Sequence, residues 1–156
     1  VSADLPIPHA ELAGSTHLIL TNFLRWFGRD LVEEGRGDEV ARLFEAPRVV
    51  LSALGTSGTD HAFNYANRAA LDLFEASWPE LIGLPSSASA EPVHRDERRR
   101  FLEEVSRHGF IADYSGIRIS RHGRRFRIRN ATVFNLLDDD GAYLGQAATF
   151  SDWEFL

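Results

Sequence analysis

The chain has 156 residues, of which 44% are hydrophobic, and 23 acidic against 17 basic side chains give a formal net charge of −6. That length fits one domain with an additional terminal helix, and the acidic balance argues against a general attraction to nucleic acid or to an anionic membrane. Cysteine is absent, which excludes disulfides, thiol nucleophiles, cysteine-bound zinc and iron–sulfur clusters. Apolar runs such as Leu18-Ile19-Leu20 are too short to span a bilayer, and no basic segment leads into an apolar one as in a signal peptide, so a cytoplasmic setting without membrane contact is expected.

From about His9 to Leu31, the spacing of Leu12, Ile19, Phe23, Trp26 and Phe27 predicts an amphipathic helix. A glycine-bearing loop, Glu33 to Asp38, follows, and Asp38 is placed to cap a short helix carrying Val40, Leu43 and Phe44. Pro47 limits that helix. Val49-Val50-Leu51 opens a strand that runs to Leu54, Gly55–Asp60 is a turn, and His61–Ala66 completes a hairpin. Asn67 is a natural cap for a helix over Arg68–Glu75, and Ser77 with Glu80 has capping-box spacing for the turn Trp78–Ile82.

Asp96–His108 reads as a second clear helix, with Phe101, Leu102 and Val105 inward and Arg98, Arg99, Arg100, Glu103 and Glu104 toward solvent. Gly109 stands where a left-handed terminus is needed. Three strands follow, Phe110–Ser120, Arg124–Leu137 and Ala142–Trp153, joined by the turns Arg121–Gly123 and Asp138–Gly141. Two blocks of strands separated by helices imply an α+β fold, a five-stranded antiparallel sheet with helices on one face. We divide the chain into an N-terminal helical extension, 1–47, and a main domain, 48–156.

Alternation along the long strand puts Phe126, Ile128, Asn130, Thr132 and Phe134 on one face, with Gln146 sharing the inward parity of the last strand. Buried polar side chains need partners, and small-molecule pockets are apolar with a few such groups. These residues, with Phe63 and Tyr65, form the candidate ligand pocket, with Asn130, Thr132 and Gln146 as polar handles. Mutual satisfaction of the same groups in a filled core is the structural alternative. The opposite face carries Arg125, Arg127 and Arg129 but also Ala131, Val133 and Leu137. Its apolar end needs cover, either from the N-terminal helix of the same chain or from a second copy in a homodimer, which is the expected arrangement. Arg118, Arg124, Arg125, Arg127 and Arg129 are expected to be solvated or paired with acids of the N-terminal helices, the alternative being a docking patch for an acidic partner.

Catalytic signatures are missing. No G-x-S-x-G elbow, H-E-x-x-H pair or phosphate-binding glycine loop occurs, and Asp138-Asp139-Asp140-Gly141 lacks the spaced ligands of a calcium loop. A non-enzymatic role is therefore expected, and neither a cofactor nor a metal is assigned.

Phe63-Asn64-Tyr65-Ala66-Asn67-Arg68-Ala69-Ala70-Leu71 resembles the second strand and following helix of PAS domains, and Ser77–Gly83 resembles their turn ending in Leu-Ile-Gly. Gly123–Ile128, Asp138–Gly141 and Gly145 resemble the final PAS hairpins. More narrowly, Leu43-Phe44-Glu45-Ala46-Pro47, Asn64–Leu71, His108–Ile111 with Asp113–Gly116, and Gly145–Phe150 resemble the MEKHLA family, a PAS-related group, over residues 43–153. The resemblance implies a PAS-like fold and a sensory or regulatory role, through a small ligand or through protein–protein contacts. A ligand-free interaction module and a small α+β enzyme are the competing readings. The adduct-forming cysteine of flavin photoreceptor members is absent, and His108, at the end of its helix, suits the helix dipole better than haem ligation. Plant relatives carry this domain behind a DNA-binding region. These 156 residues contain no basic region and no sustained heptads.

Overall fold

A computed structural model describes residues 5–32, 38–56 and 58–156. Most of the expected loop Glu33–Asp38 and Ser57 of the turn 55–60 lie outside the described residues. The helices are α1 (His9–Phe27), α2 (Glu39–Glu45), α3 (Arg68–Phe74), α4 (Trp78–Leu81) and α5 (Pro92–His108). The strands are β1 (Val49–Leu54), β2 (Ala62–Ala66), β3 (Phe110–Ile119), β4 (Arg125–Leu137), β5 (Tyr143–Phe150) and β6 (Asp152–Phe155). They form one antiparallel sheet in the order β2-β1-β5-β4-β3, with β6 continuing along β4 beyond β5. The last expected strand is thus two, broken at Ser151.

Local chemistry sets the element ends. Asp38 caps α2 by accepting from the amide of Val40. The capping box at α4 is complete, with Ser77 N donating to Glu80 Oε1 at 3.0 Å and Glu80 N donating to Ser77 Oγ at 3.4 Å. Helix α1 stops four residues short of the expected Leu31, because Gly28 takes a left-handed φ of 68° and its amide returns to the carbonyl of Leu24.

The sheet has a layer on each face. Val49, Leu51, Phe63, Phe126, Ile128 and Phe150 pack against Ala70, Leu73 and Phe74 of α3 and Leu81 of α4. On the other face Val50, Tyr65, Phe134, Leu136 and Ala147 pack against Leu12, Ile19 and Phe23 of α1 and Val40, Leu43 and Phe44 of α2. Helix α1 therefore covers the sheet of its own chain. Phe23 and Phe27 meet the Phe134 ring edge-on at 5.6 and 6.1 Å, and Phe27 also meets Phe110 at 4.8 Å. Polar contacts fix its position along β4. The Asn22 amide donates to Leu137 O and accepts from Leu137 N, both at 3.0 Å, as a neighbouring strand would. Trp26 Nε1 donates to Asn135 O at 2.9 Å. Gly109 (φ 97°) ends α5 directly under the Trp26 indole, where a Cβ would come within 2.6 Å of Cη2. The homodimer expectation rested on Ala131, Val133 and Leu137 as an outer face in need of cover; Ala131 and Val133 instead line the inner side of the sheet, and the face that needs cover, with Phe134 and Leu136, is packed by α1 of the same chain.

Asn67, fully buried, joins three elements. Its Oδ1 accepts from the amides of Ala70 and Val50 at 3.1 and 3.0 Å, and its Nδ2 donates to the carbonyls of Leu43 and Arg48 at 3.2 and 2.8 Å. The expected helix cap is thus also the clasp between α2, β1 and α3.

Two stability measurements follow. Asn67→Ala should cost about 2–4 kcal/mol in urea titration, more than the roughly 0.5–2 of a cap alone, because buried backbone groups lose partners as well. A loss under 1 kcal/mol would mean that those groups find other partners. Phe23→Ala should cost about 3–5 kcal/mol, with a denaturation midpoint that does not move with protein concentration. A concentration-dependent midpoint would show that α1 seals a second copy.

Candidate functional site

The site depends on a crease that crosses three strands. Asn130 in β4 takes φ 53° and Asp113 in β3 takes φ 63°, while the β5–β6 edge bends at Ser151. The β3–β4 register slips beside this line, around the pair Tyr114–Ala131. One extra residue in a strand reverses the alternation of everything after it. Upstream of Asn130, Phe126 and Ile128 face the α3–α5 layer; downstream, Ala131 and Val133 do so, while Phe134 and Leu136 turn to α1.

This corrects the uniform parity expected along β4. Asn130 is exposed and donates to Asp152 Oδ2 at 3.4 Å. Thr132 is half-buried and alternates with the chamber-lining Ala131 and Val133, and Phe134 belongs to the α1 side. Tyr65 also faces α1, because a bulge opposite Ser52 leaves Asn64 and Tyr65 on one side. Burial pushes its phenol well above the ordinary range. Of the eight candidate residues, Phe63, Ile128 and Gln146 line the interior space, and Phe126 packs in the same cluster as Phe63 and Ile128.

That space is a chamber of about 90 Å³ between the sheet and α5, with Ile128, Ala131, Val133, Ala148, Phe150 and Phe63 on one side and Phe101 and Leu102 on the other. Its polar lining is Gln146, Arg98, Arg118, His61, Ser52, Ser86, Ser89 and Tyr114. A cleft of about 330 Å³ adjoins it, sharing His61, Ser86, Arg98, Leu102 and Gln146, and adds Asp60, Arg95, Arg99 and Glu103. Drug-sized ligands need roughly 300–1,000 Å³, so the chamber itself has no room for an isoalloxazine or a haem. His108 is exposed at the end of α5 and does not line the chamber. Among the described residues no three His, Asp or Glu side chains gather as metal ligands.

Most polar groups here are held by protein partners. Gln146 Nε2 donates to Leu102 O at 3.0 Å and to Asn135 Oδ1 at 3.3 Å. Asn135 Nδ2 donates to Ser106 O at 3.0 Å, its backbone N donates to Gly109 O at 2.8 Å, and its carbonyl accepts from Trp26. Asn135 therefore ties β5, α5 and α1 at one point. His61 Nδ1 lies 2.9 Å from Thr59 O, which can only accept; in the neutral ring Nε2 is then the acceptor for Tyr143 Oη at 2.7 Å. Burial raises the Tyr143 phenol to about 12, keeping that donor protonated.

Arg98 is the exception. It was expected to face solvent, but it lies three, four and seven residues before Phe101, Leu102 and Val105, on the inward stripe of α5. Its Nε is shut off from solvent without a hydrogen-bond partner. Burial, followed by the nearby Arg118 charge, lowers the guanidinium to about 10. Arg118, itself buried, donates to Ile117 O at 2.8 Å and to Tyr114 Oη at 2.9 Å. The helical spacing was the signal that would have found Arg98; Asn135 and His61 carried none.

The remaining arginines are engaged, though not with acids of the N-terminal helices. Arg125 pairs with Glu91 at 2.6 Å, Arg127 with Glu154 at 3.2 Å, and Arg129 also with Glu154. Arg124 stacks over the Phe155 ring at 3.4 Å.

Comparison with known proteins agrees with this geometry. The model of the MEKHLA domain matches residues 13–155. The homeobox-leucine zipper protein ATHB-9 of Arabidopsis thaliana is 25% identical over 133 residues, which cover 83% of this chain but only 16% of that protein. The PAS domain of a Colwellia psychrerythraea protein superposes with a TM-score of 0.58 at 11% identity, covering 74% of this chain and 91% of that one. A fungal LOV domain photoreceptor gives 0.57 at 17% identity, covering 88% and 91%, and the dark form of the Aureochrome1 LOV photoreceptor gives 0.53 at 18%, covering 78% and 87%. At these identities the solved structures establish a shared PAS-like fold.

The crease yields a direct test. Asn130→Gly should leave urea stability within about 0.5 kcal/mol, whereas Asn130→Val should cost about 1–3 kcal/mol, because a β-branched residue resists positive φ. Equal effects would mean that position 130 does not require positive φ.

Proposed function

This chain belongs to the MEKHLA domain family, and from that premise we propose that it is a sensory or regulatory module of a cytoplasmic regulator, binding a small molecule in the chamber and reporting its presence at α1. The observation that carries this reading is the connection through Asn135. Gln146 lines the chamber, its amide holds the Asn135 side chain, and the Asn135 carbonyl holds the Trp26 indole of α1. A change at Gln146 thus reaches the outer layer in two hydrogen bonds. Sensing needs such a two-sided element, since a ligand shifts an equilibrium only by contacting its states differently. A catalytic role has less support: His61, the histidine of the chamber, is held by Thr59 and Tyr143 and by no carboxylate.

One observation favours a second reading. The chamber is small, as expected of a filled core in a ligand-free interaction module.

Native mass spectrometry of freshly purified protein separates the two, and we expect a retained small molecule. Removing it should change amide hydrogen exchange in α1, and Trp26→Phe, which deletes the indole donor outside the chamber, should keep the molecule bound but reduce that response. A protein carrying no molecule, with α1 exchange indifferent to every compound tested, would favour the ligand-free interaction module.

A further inference from the structure

The geometry points to a small organic acid as the ligand, its carboxylate between Arg98 and Arg118 and its short apolar tail against Ile128, Val133 and Phe101. This deepens the ligand-binding reading above and rests on it. The charge inventory of the chamber carries the inference: its lining residues include Arg98, Arg118 and His61 and, among the described residues, no Asp or Glu.

Several arginines elsewhere on this surface find acids. Arg68 pairs with Glu45, Arg121 with Glu80, Arg125 with Glu91, and Arg127 and Arg129 with Glu154. Arg98 makes no hydrogen bond or ion pair among the described residues, although its Nε is closed off from water. Asp60 is the acid that attracts it, yet Asp60 is already taken by Ser86 Oγ, Ser87 N and Ser87 Oγ at 3.4, 3.3 and 2.5 Å. Arg118 lies near enough to disfavour the Arg98 charge, and its bonds to Ile117 O and the Tyr114 hydroxyl leave its positive charge unneutralised. A guanidinium drawn partly out of water with an unmatched donor is costly to keep. Two neighbouring guanidiniums at the wall of a cavity form a site that an anion completes, and a planar carboxylate matches the guanidinium fork. In the adjoining cleft Arg95, Arg98 and Arg99 face Asp60, Asp96 and Glu103. That balance of charge makes the inner chamber, rather than the cleft, the anionic subsite. At about 90 Å³ the chamber is smaller than the roughly 150 Å³ cavity that admits benzene, so the tail is a short alkyl chain.

The test is an NMR titration of the full chain with butyrate and with its uncharged counterpart butyramide, following the side-chain Nε–H resonance of Arg98. We expect butyrate to move that resonance and to bind at least tenfold more tightly than butyramide. Arg98→Gln and Arg118→Gln, each checked for a native amide spectrum, should each weaken butyrate by about ten- to a hundredfold, the weight of a charge-assisted hydrogen bond. Equal binding of acid and amide would overturn the acid specificity while leaving ligand binding intact. Butyrate binding that survives both substitutions would place the anion elsewhere and overturn the site. Binding of neither compound, together with an empty native mass spectrum, would sink the acid inference and the ligand-binding reading alike. A retained neutral molecule would sink the acid inference alone.

Discussion

The left-handed turn at Asn130 is the constraint on which the two-layered sheet depends. A regular strand offers each layer every second residue along its whole length. β4 must instead give Phe126 and Ile128 to one layer and Phe134 and Leu136 to the other, although all four share parity. One residue at φ 53° achieves this, and Asn accepts that conformation more readily than other non-glycine residues. The partner strands yield at the same level, with Asp113 on one side and Ser151 on the other. The chamber lies along this line, lined by Ala131 from beyond the turn and Ile128 from before it.

Much of the fold was legible because its signals are local. Asp38, Asn67 and the Ser77–Glu80 pair mark helix starts by chemistry that acts within three residues. The glycine at 109 and the turn Asp138–Gly141 are similarly self-contained. The site was less legible, chiefly because the parity of a strand does not survive a residue that reverses it. Gln146, Phe63 and Ile128 lie on uninterrupted stretches and border the chamber, while Asn130, Thr132, Phe134 and Tyr65 lie at or beyond a bulge. Arg98 was missed differently. Its position on the helix is inward by spacing, whereas a charged side chain taken alone points to solvent.

Asn67 and Arg98 show how buried polarity divides between structure and function. Asn67 has four side-chain hydrogen bonds, all to backbone groups that would otherwise be stranded. Nothing remains for a ligand, and its contribution is rigidity. Arg98 is the reverse, a full charge with an unmatched donor beside an open volume. Gln146 stands between them: its donors are committed to α5 and Asn135 while its side chain still borders the chamber. A group that is both held and accessible is suited to passing a disturbance onward.

The docking of α1 has a consequence for how the chain is made. Asn22 contacts Leu137 across 115 positions of sequence, and Trp26 contacts Asn135 across 109. Synthesis runs from the N-terminus, so the aromatic stripe of α1 leaves the ribosome long before the strand that covers it. Contacts this distant form late, after a long loop has been closed. Until then Phe23, Trp26 and Phe27 are exposed on a nascent helix, the kind of surface that chaperones bind and that promotes aggregation. A helix made well before β4 is thus among the last parts of this domain to settle, and errors in producing it should concentrate in the interval between the two events.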